Sequence, residues 1–386
     1  MQHPSELCGH TALVKATLSA IPVHTAIALV LSPWAIQAID KLRRGFIWAG
    51  TASVAGGRCK VAWLRVCMPK ELGGLGVADL RRAGMAFRAR RVWQDRRLGR
   101  PESTITERGV LALAQEAMAI TLGDGRSVLF WTDRWLNGTS ISSLAPTLFL
   151  AVRQRKRRST VAESLPLHTW ATHLSGAFAM QMVVEAAALF DLLEQVQLQD
   201  TPDTFYWTLS PDGNYSAASA YGAMFLGSTI PLGAKQIWKT AAPPRVRFFF
   251  WLVLHGRCWT ADRRFRHGLQ PTDTCILCDQ ESETIDHILL GCVFSREVWH
   301  RCLRWAQLDA LHLNPAGNAI PWWLAARKLI PQHRRKGFDS LFFLVGWRLW
   351  KERKRTFDDV PTNALQLASQ IQEEAELWCL AALLAV

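Results

Sequence analysis

Four residues of ligand-forming type fall within 18 positions, Cys275, Cys278, His287 and Cys292, in a C-x2-C-x8-H-x4-C array inside TCILCDQESETIDHILLGC. Two cysteines two residues apart can grip a metal from one tight turn, and a second pair from another element completes a tetrahedron. A lone cysteine or histidine reads as core packing; four at this spacing read as a Cys3His zinc site. Three thiolates and an imidazole leave no position open for water, so the expected role is structural. Structural zinc contributes about 10–16 kcal/mol in small peptides, against about 5–15 kcal/mol for the net stability of a domain. The module is therefore expected to collapse locally without metal. Cys258, His255, His267 and Cys302 lie nearby and are taken as non-ligands, Cys258 being the nearest substitute. Cys8, Cys59, Cys67 and Cys379 have no metal spacing and read as core thiols.

The elements around this array follow from its flanks. ETIDHILL suits a short helix carrying His287, with Gly291 expected in the left-handed conformation that ends many helices and so returning Cys292 to the metal. Ser295 is a candidate cap for the next helix. Upstream, PPRVRFFFWLVLHGRCWTADRRFRHG predicts two helices. Val246, Phe249, Phe250 and Val253 form the buried stripe of the first; Thr260 caps the second, and Gly268 ends it. Arg245, Arg247, Arg257, Arg263, Arg264 and Arg266 are the candidate phosphate contacts. The metal loop itself is unsuited to phosphate: Leu269–Gly291 holds Asp273, Asp279, Glu281, Glu283 and Asp286 and no Lys or Arg. Trp251 and Trp259 can stack on bases, with core packing the stronger expectation.

The 386-residue chain carries 49% hydrophobic and 20% charged residues, which excludes a wholly disordered protein. Its net charge of +13 favours an acidic partner. Residues 40–108 hold 16 basic against 6 acidic residues, and Arg81, Arg82, Arg88, Arg90, Arg91, Arg96 and Arg97 there read first as a solvated helix face. The basic run at 153–158 reads as a solvated loop, a nuclear address or a phosphate contact. Nine cysteines are too few for a disulfide scaffold. No apolar stretch reaches the roughly 20 residues of a membrane span, and the first residues do not resemble a secretory signal. The protein is expected to be intracellular.

Helical periodicity dominates. A helix is expected to stop at Pro22, and another to start at Ser32-Pro33 with Ala35, Ile36, Ile39, Leu42 and Phe46 as its apolar stripe. ITLGDGRSVLFWTDRWLNG predicts a β-hairpin around Asp124-Gly125, and TFYWTLSPDGNYS a strand–turn–strand. Linkers are placed near 101–106, 155–165 and 310–320. The expected organisation is a basic helical region at 1–100, a connecting region with a hairpin at 101–200, a zinc module at 201–306 and a Trp-rich basic helical tail at 307–386. The fold class is mainly α, with small β-hairpins and a Cys3His zinc-braced module.

APPRVRFFFWLVLHGRCWTADRRFRHGLQPTDTCILCDQESETIDHILLGCVFSREVW resembles the zinc-binding module found after the polymerase in plant LINE-type, non-LTR retrotransposon reverse transcriptases. YWTLSPDGNYSAASAY resembles that module's entry. KLRRGFIWAG, KVAWLRVCMPKELGGLGVADL and GDGRSVLFWTDRWLNG resemble the stretch before it, and LFFLVGWRLWKERKRTF its tail, with Lys354 where Asn is usual. The resemblance implies zinc on Cys275, Cys278, His287 and Cys292, and element RNA or target DNA as partner. The family's polymerase uses an aromatic-x-Asp-Asp turn to hold Mg²⁺. No such turn occurs here; Phe357-Asp358-Asp359 is the nearest string and reads as a charged helix end. The expectation is a non-catalytic fragment beginning near the polymerase thumb, intracellular and with a nuclear location open to it. It either binds nucleic acid or serves as a zinc-stabilised scaffold or protein-contact surface, and polymerase portions outside it are candidate partners.

Overall fold

The computed structural model describes residues 4–54, 58–100, 103–176, 179–357 and 363–380. Asp358, Asp359, residues 381–386, part of the 50–60 loop and the start of the 101–106 linker lie outside the described residues. Among the described residues the fold is mainly α, 61% helical, with one two-stranded sheet. The principal elements are α1 (Pro4–Leu13), α2 (Ala20–Ala28), α3 (Pro33–Ala49), α4 (Leu80–Arg97), α5 (Arg108–Ala117), β1 (Met118–Thr121), α6 (Met180–Glu194), β2 (Thr204–Trp207), α7 (Ala217–Ala223), α8 (Pro244–Leu254), α9 (Ala261–Arg266), α10 (Val293–Trp305), α11 (Ala319–Leu329), α12 (Arg335–Phe357) and α13 (Ala364–Leu380). Residues 1–20, 37–78 and 228–386 pack as one unit, and residues 21–36 and 79–227 as another.

The first unit is built on aromatic packing. Seven of the eleven residues of α8 are buried, Val246 and Phe248–Val253, so the expected stripe widens to nearly the whole helix. Phe250 packs on Phe343 of α12 with ring centroids 4.1 Å apart, and Trp323 of α11 stacks on Phe342 at 5.4 Å. A Cβ at Gly346 would stand 2.7 Å from the Phe250 ring, so glycine there lets α12 approach α8. Trp251 is fully buried and donates its ring N–H to the Gly73 carbonyl at 2.8 Å, which removes it from base stacking.

Two expectations near the start change. The helix does not stop at Pro22, because Pro22 falls in the first turn of α2, where a backbone N–H has no intrahelical acceptor to lose. Ser32 does cap α3, accepting from the Ala35 amide at 3.2 Å. The buried residues of that helix, however, are Arg43, Gly45, Ile47 and Trp48, while Leu42 is exposed. Arg43 can be buried because its donors are used: it pairs with Asp40 and donates to Ser19 Oγ at 3.0 Å and the Ala78 carbonyl at 2.8 Å.

The second unit holds the sheet, and neither expected hairpin forms. β1 pairs antiparallel with β2, Met118 opposite Trp207 and Thr121 opposite Thr204. The Asp203 carboxylate just before β2 accepts from the amides of Gly123 and Gly125 through Oδ1 at 2.7 and 3.0 Å, and from Ser127 through Oδ2 at 2.9 Å. This clamp holds the Gly-Asp-Gly turn against a segment 80 residues away and supplies what a return strand would have supplied. The Pro211–Gly213 turn closes on β2, with the Trp207 amide donating to the Gly213 carbonyl at 2.8 Å, and leads into α7 without a second strand. On α4, Asp79 caps the helix by accepting from the Arg82 amide, and Arg96 is buried against Asp133 at 2.8 Å.

Asp203→Ala leaves three amides without their carboxylate acceptor. The expected loss is about 2–4 kcal/mol, since bonds to a charged group are each worth roughly 1.5–3 kcal/mol and act here as one cluster. Denaturant unfolding measures it, and the amides of Gly123, Gly125 and Ser127 should lose hydrogen-exchange protection first. Unchanged protection would rule the clamp out.

Candidate metal centre

Cys275 and Cys278 sit on a knuckle closed by an antiparallel bridge between Thr274 and Ser282. The Cys275 amide donates to the Glu281 carbonyl, and the Asp279 amide to the Cys275 carbonyl, both at 2.8 Å. Asp279 takes a positive φ of 51° to complete the turn. His287 begins a π-helical turn, His287–Gly291, closed by the Cys292 amide donating to the His287 carbonyl at 2.7 Å. In α geometry, residues five apart stand about 140° apart around the axis. The wider turn reduces that separation and brings Cys292 back beside His287. The ligand-type atoms of Cys275, Cys278, His287 and Cys292 all lie within 4.8 Å of one another.

Gly291 therefore has a different role from the one its position suggests. It is not left-handed. A Cβ there would stand 2.9 Å from the Pro315 carbonyl oxygen and 3.3 Å from His287 Nδ1, so it is the absence of a side chain that the site requires. Ser295 does not cap α10, whose N-cap is Cys292; its hydroxyl donates to the Ile288 carbonyl at 2.6 Å and fixes the π turn. Thr260 precedes α9 without capping it, because its hydroxyl is turned onto Asp262. Gly268 does follow α9 with a φ of +66°.

The donor set fits a tetrahedral metal. Cys278 Sγ and His287 Nε2 are 3.4 Å apart, close to the roughly 3.5–3.8 Å edge of a tetrahedron with Zn–S near 2.3 Å and Zn–N near 2.0–2.1 Å. Cys275 and Cys292 are fully buried and His287 nearly so. The hydrogen bond from the Cys275 thiol draws Cys292 down to about 4, with His287 helping, and the same bond pushes Cys275 up. Contact with Cys292 and Cys278 lifts His287 to about 9. Protons shared between a thiol, a thiolate and an imidazole are what a bound cation displaces.

Two acids missed as structural parts complete the centre. Glu281 Oε2 lies 3.1 Å from His287 Nδ1 and can accept its N–H, which leaves Nε2 as the ligand atom. Glu283 is 1% exposed, pairs with Arg353 of α12 at 2.7 Å, and accepts from the Ala261 amide at 2.7 Å. It thus ties the knuckle to α9 and α12 and fills the capping role expected of Thr260. Both acids lie in the polar run Asp279–Thr284, which in sequence reads as a solvated loop.

The six candidate arginines do not share one free face. Arg245 and Arg257 are exposed. Arg247 donates to the Trp238 carbonyl at 3.2 Å, and Arg266 pairs with Asp262 at 2.6 Å. Arg263 lies over the Trp259 ring and donates to the Gly256 carbonyl, and Arg264 is half-buried with a partner. Cys258 and Cys302 are buried apart from the ligand cluster; half-buried His255, which contacts the Gly73 carbonyl, and exposed His267, which lies edge-on to Trp259, also stand outside it.

Wild-type protein should carry about one metal ion per chain by plasma emission spectroscopy. Cys275→Ser should carry almost none, and Gly291→Ala clearly less than the wild type. Glu283→Ala strands Arg353 and should cost about 3–5 kcal/mol in denaturant unfolding. Full metal content in Cys275→Ser would remove the assignment.

Residues 215–299 match the family model described as zinc-binding in reverse transcriptase. A protein of Arabidopsis thaliana whose name describes it as a ribonuclease H protein is 27% identical over 331 residues, covering 76% of this chain and 52% of that protein. The chain thus spans about half the length of that relative. No solved structure matches. All four clustered ligand-type residues lie inside the segment 215–299 that matches the zinc-binding module of reverse transcriptases.

Proposed function

We propose that this chain is a zinc-braced, non-catalytic, nucleic-acid-binding region of a LINE-type, non-LTR retroelement reverse transcriptase. The observation that carries this reading is the closed Cys3His cluster within the matched segment. Four protein ligands fill a tetrahedron, so zinc would supply rigidity and no reactive water. Zinc would rest on Cys275, Cys278, His287 and Cys292, with Glu281 orienting the imidazole. A non-catalytic role is supported by the sequence, which contains no aromatic-x-Asp-Asp string.

Nucleic acid as partner is supported by the net charge of +13, by the reverse-transcriptase module and by the name of the Arabidopsis relative. Arg245 and Arg257 are exposed, as is Arg266, which pairs with Asp262, and Arg263 over Trp259 at 4.9 Å presents a cation–aromatic surface. The exposed basic turn Gln154–Arg158 supports a nuclear location. No described helix is long and apolar enough to cross a membrane. The second reading, a zinc-stabilised scaffold that contacts protein and not nucleic acid, is favoured by one observation: Arg247, Arg263 and Arg266 already have partners within the chain.

Filter binding of an RNA and a DNA oligonucleotide across a salt series separates the two. Nucleic-acid binding predicts that affinity falls about tenfold or more between roughly 50 and 200 mM salt. Arg245→Gln with Arg257→Gln should lower the slope by up to about two, and a strong chelator should abolish binding. Salt-insensitive or absent binding leaves the scaffold reading.

A further inference from the structure

A cleft of about 590 Å³ opens in the second unit, lined by Arg90, Arg91, Arg97 and Arg100 along the end of α4 and by Asn214 and Tyr215 from the turn after β2. Four guanidiniums face one carboxylate, Asp95, and that carboxylate is already occupied. It is buried, accepts from Ser103 Oγ at 2.8 Å, and meets Arg91 at 3.3 Å and Arg100 only at 4.0 Å. The Arg91 and Arg100 side chains are 52% and 62% exposed, so neither pair ties up its guanidinium. Arg97 touches Asn214 Oδ1 at 3.5 Å, and Arg90 is exposed. Each guanidinium carries five N–H donors and no acceptor. The Tyr215 hydroxyl, which donates to the Ala86 carbonyl, keeps the wall in place. The cleft is rich in donors and positive charge and poor in acceptors.

We infer that this cleft is a second nucleic-acid site, in which Arg90, Arg91, Arg97 and Arg100 take consecutive backbone phosphates. Guanidinium forks match phosphate oxygens in pairs, which ammonium groups do not. The volume exceeds what a single phosphate needs and falls in the range of pockets that hold a nucleotide-sized group. The walls are built rather than incidental. Trp93, 5% exposed, packs edge-on against Trp207 at 6.1 Å, and Trp207 against Tyr215 at 4.7 Å, so the arginine helix and the Asn214 turn share one rigid aromatic base. None of these residues lies in the zinc module's helical pair. The site can hold whether or not that pair binds nucleic acid. A free nucleotide offers the same phosphate chemistry and is separated by competition.

The test uses the full chain and fluorescence anisotropy of a labelled single-stranded RNA about 20 nucleotides long, a length matched to sites of several nucleotides. Arg90→Gln with Arg97→Gln removes two exposed charges from the cleft; Arg108→Gln with Arg126→Gln removes two exposed charges elsewhere in the same unit. The cleft pair should weaken binding about tenfold at roughly 100 mM salt and reduce the salt slope by about 1.4. The control pair should weaken it less than about threefold, with thermal unfolding unchanged in both. Equal weakening by the two pairs, or no weakening by the cleft pair, overturns the inference. Displacement of the RNA by micromolar AMP also overturns it, assigning the cleft to free nucleotides. Loss of binding on chelation with full binding by the cleft pair overturns this site alone and leaves the zinc-module reading standing.

Discussion

Three sulfurs and an imidazole nitrogen within 4.8 Å of one another form an arrangement that cannot hold its full charge unaided. Thiolates at such distances repel, and burial strengthens the repulsion. The fold accepts that cost because every connection around the cluster is fixed from elsewhere. The bridge between Thr274 and Ser282 sets the knuckle, and Ser295 braces the π turn. Pro315 and the His287 ring close over Gly291. The backbone thus brings the four ligand-type residues together, and a bound cation would stabilise that constellation.

Beyond the ligand-type residues, several charges of this protein are turned inward. Arg43, Arg96 and Arg353 are buried with partners, and Arg88, Arg327 and Arg348 are half-buried in ion pairs with Glu107, Asp339 and Glu374. The excess of +13 is therefore a poor map of the surface. What matters for an acidic partner is where guanidiniums remain with spare donors. Glu283 shows the converse for acids: in a loop whose composition repels phosphate, it is the buried link between knuckle and core.

The Cys3His cluster was legible because its spacing is local chemistry. A C-x2-C turn and a following helix position their residues within 18 places of one another. The mainly helical fold was legible for the same reason, through periodicity. Sheet pairing was not, since the partner of Met118–Thr121 starts only at Thr204, far along the chain. Gly291 was recognised as necessary for the wrong reason: a glycine that ends a helix and one that makes room for an imidazole look alike in one dimension. Arg96 was read as part of a solvated helix face, because its partner Asp133, 37 residues distant, leaves no trace in the neighbouring sequence.

Cys292 is at once a member of the cluster and the N-cap of α10. Thirteen residues at about 1.5 Å each make that helix a rod of roughly 20 Å, hinged where the sulfur is held. A tilt of about 10° at the hinge would swing the far end by roughly 3 Å, more than the tightly packed interface with α13 can absorb without rearranging side chains. A displacement of Cys292 would therefore be amplified along α10 and felt at residues the cluster does not touch.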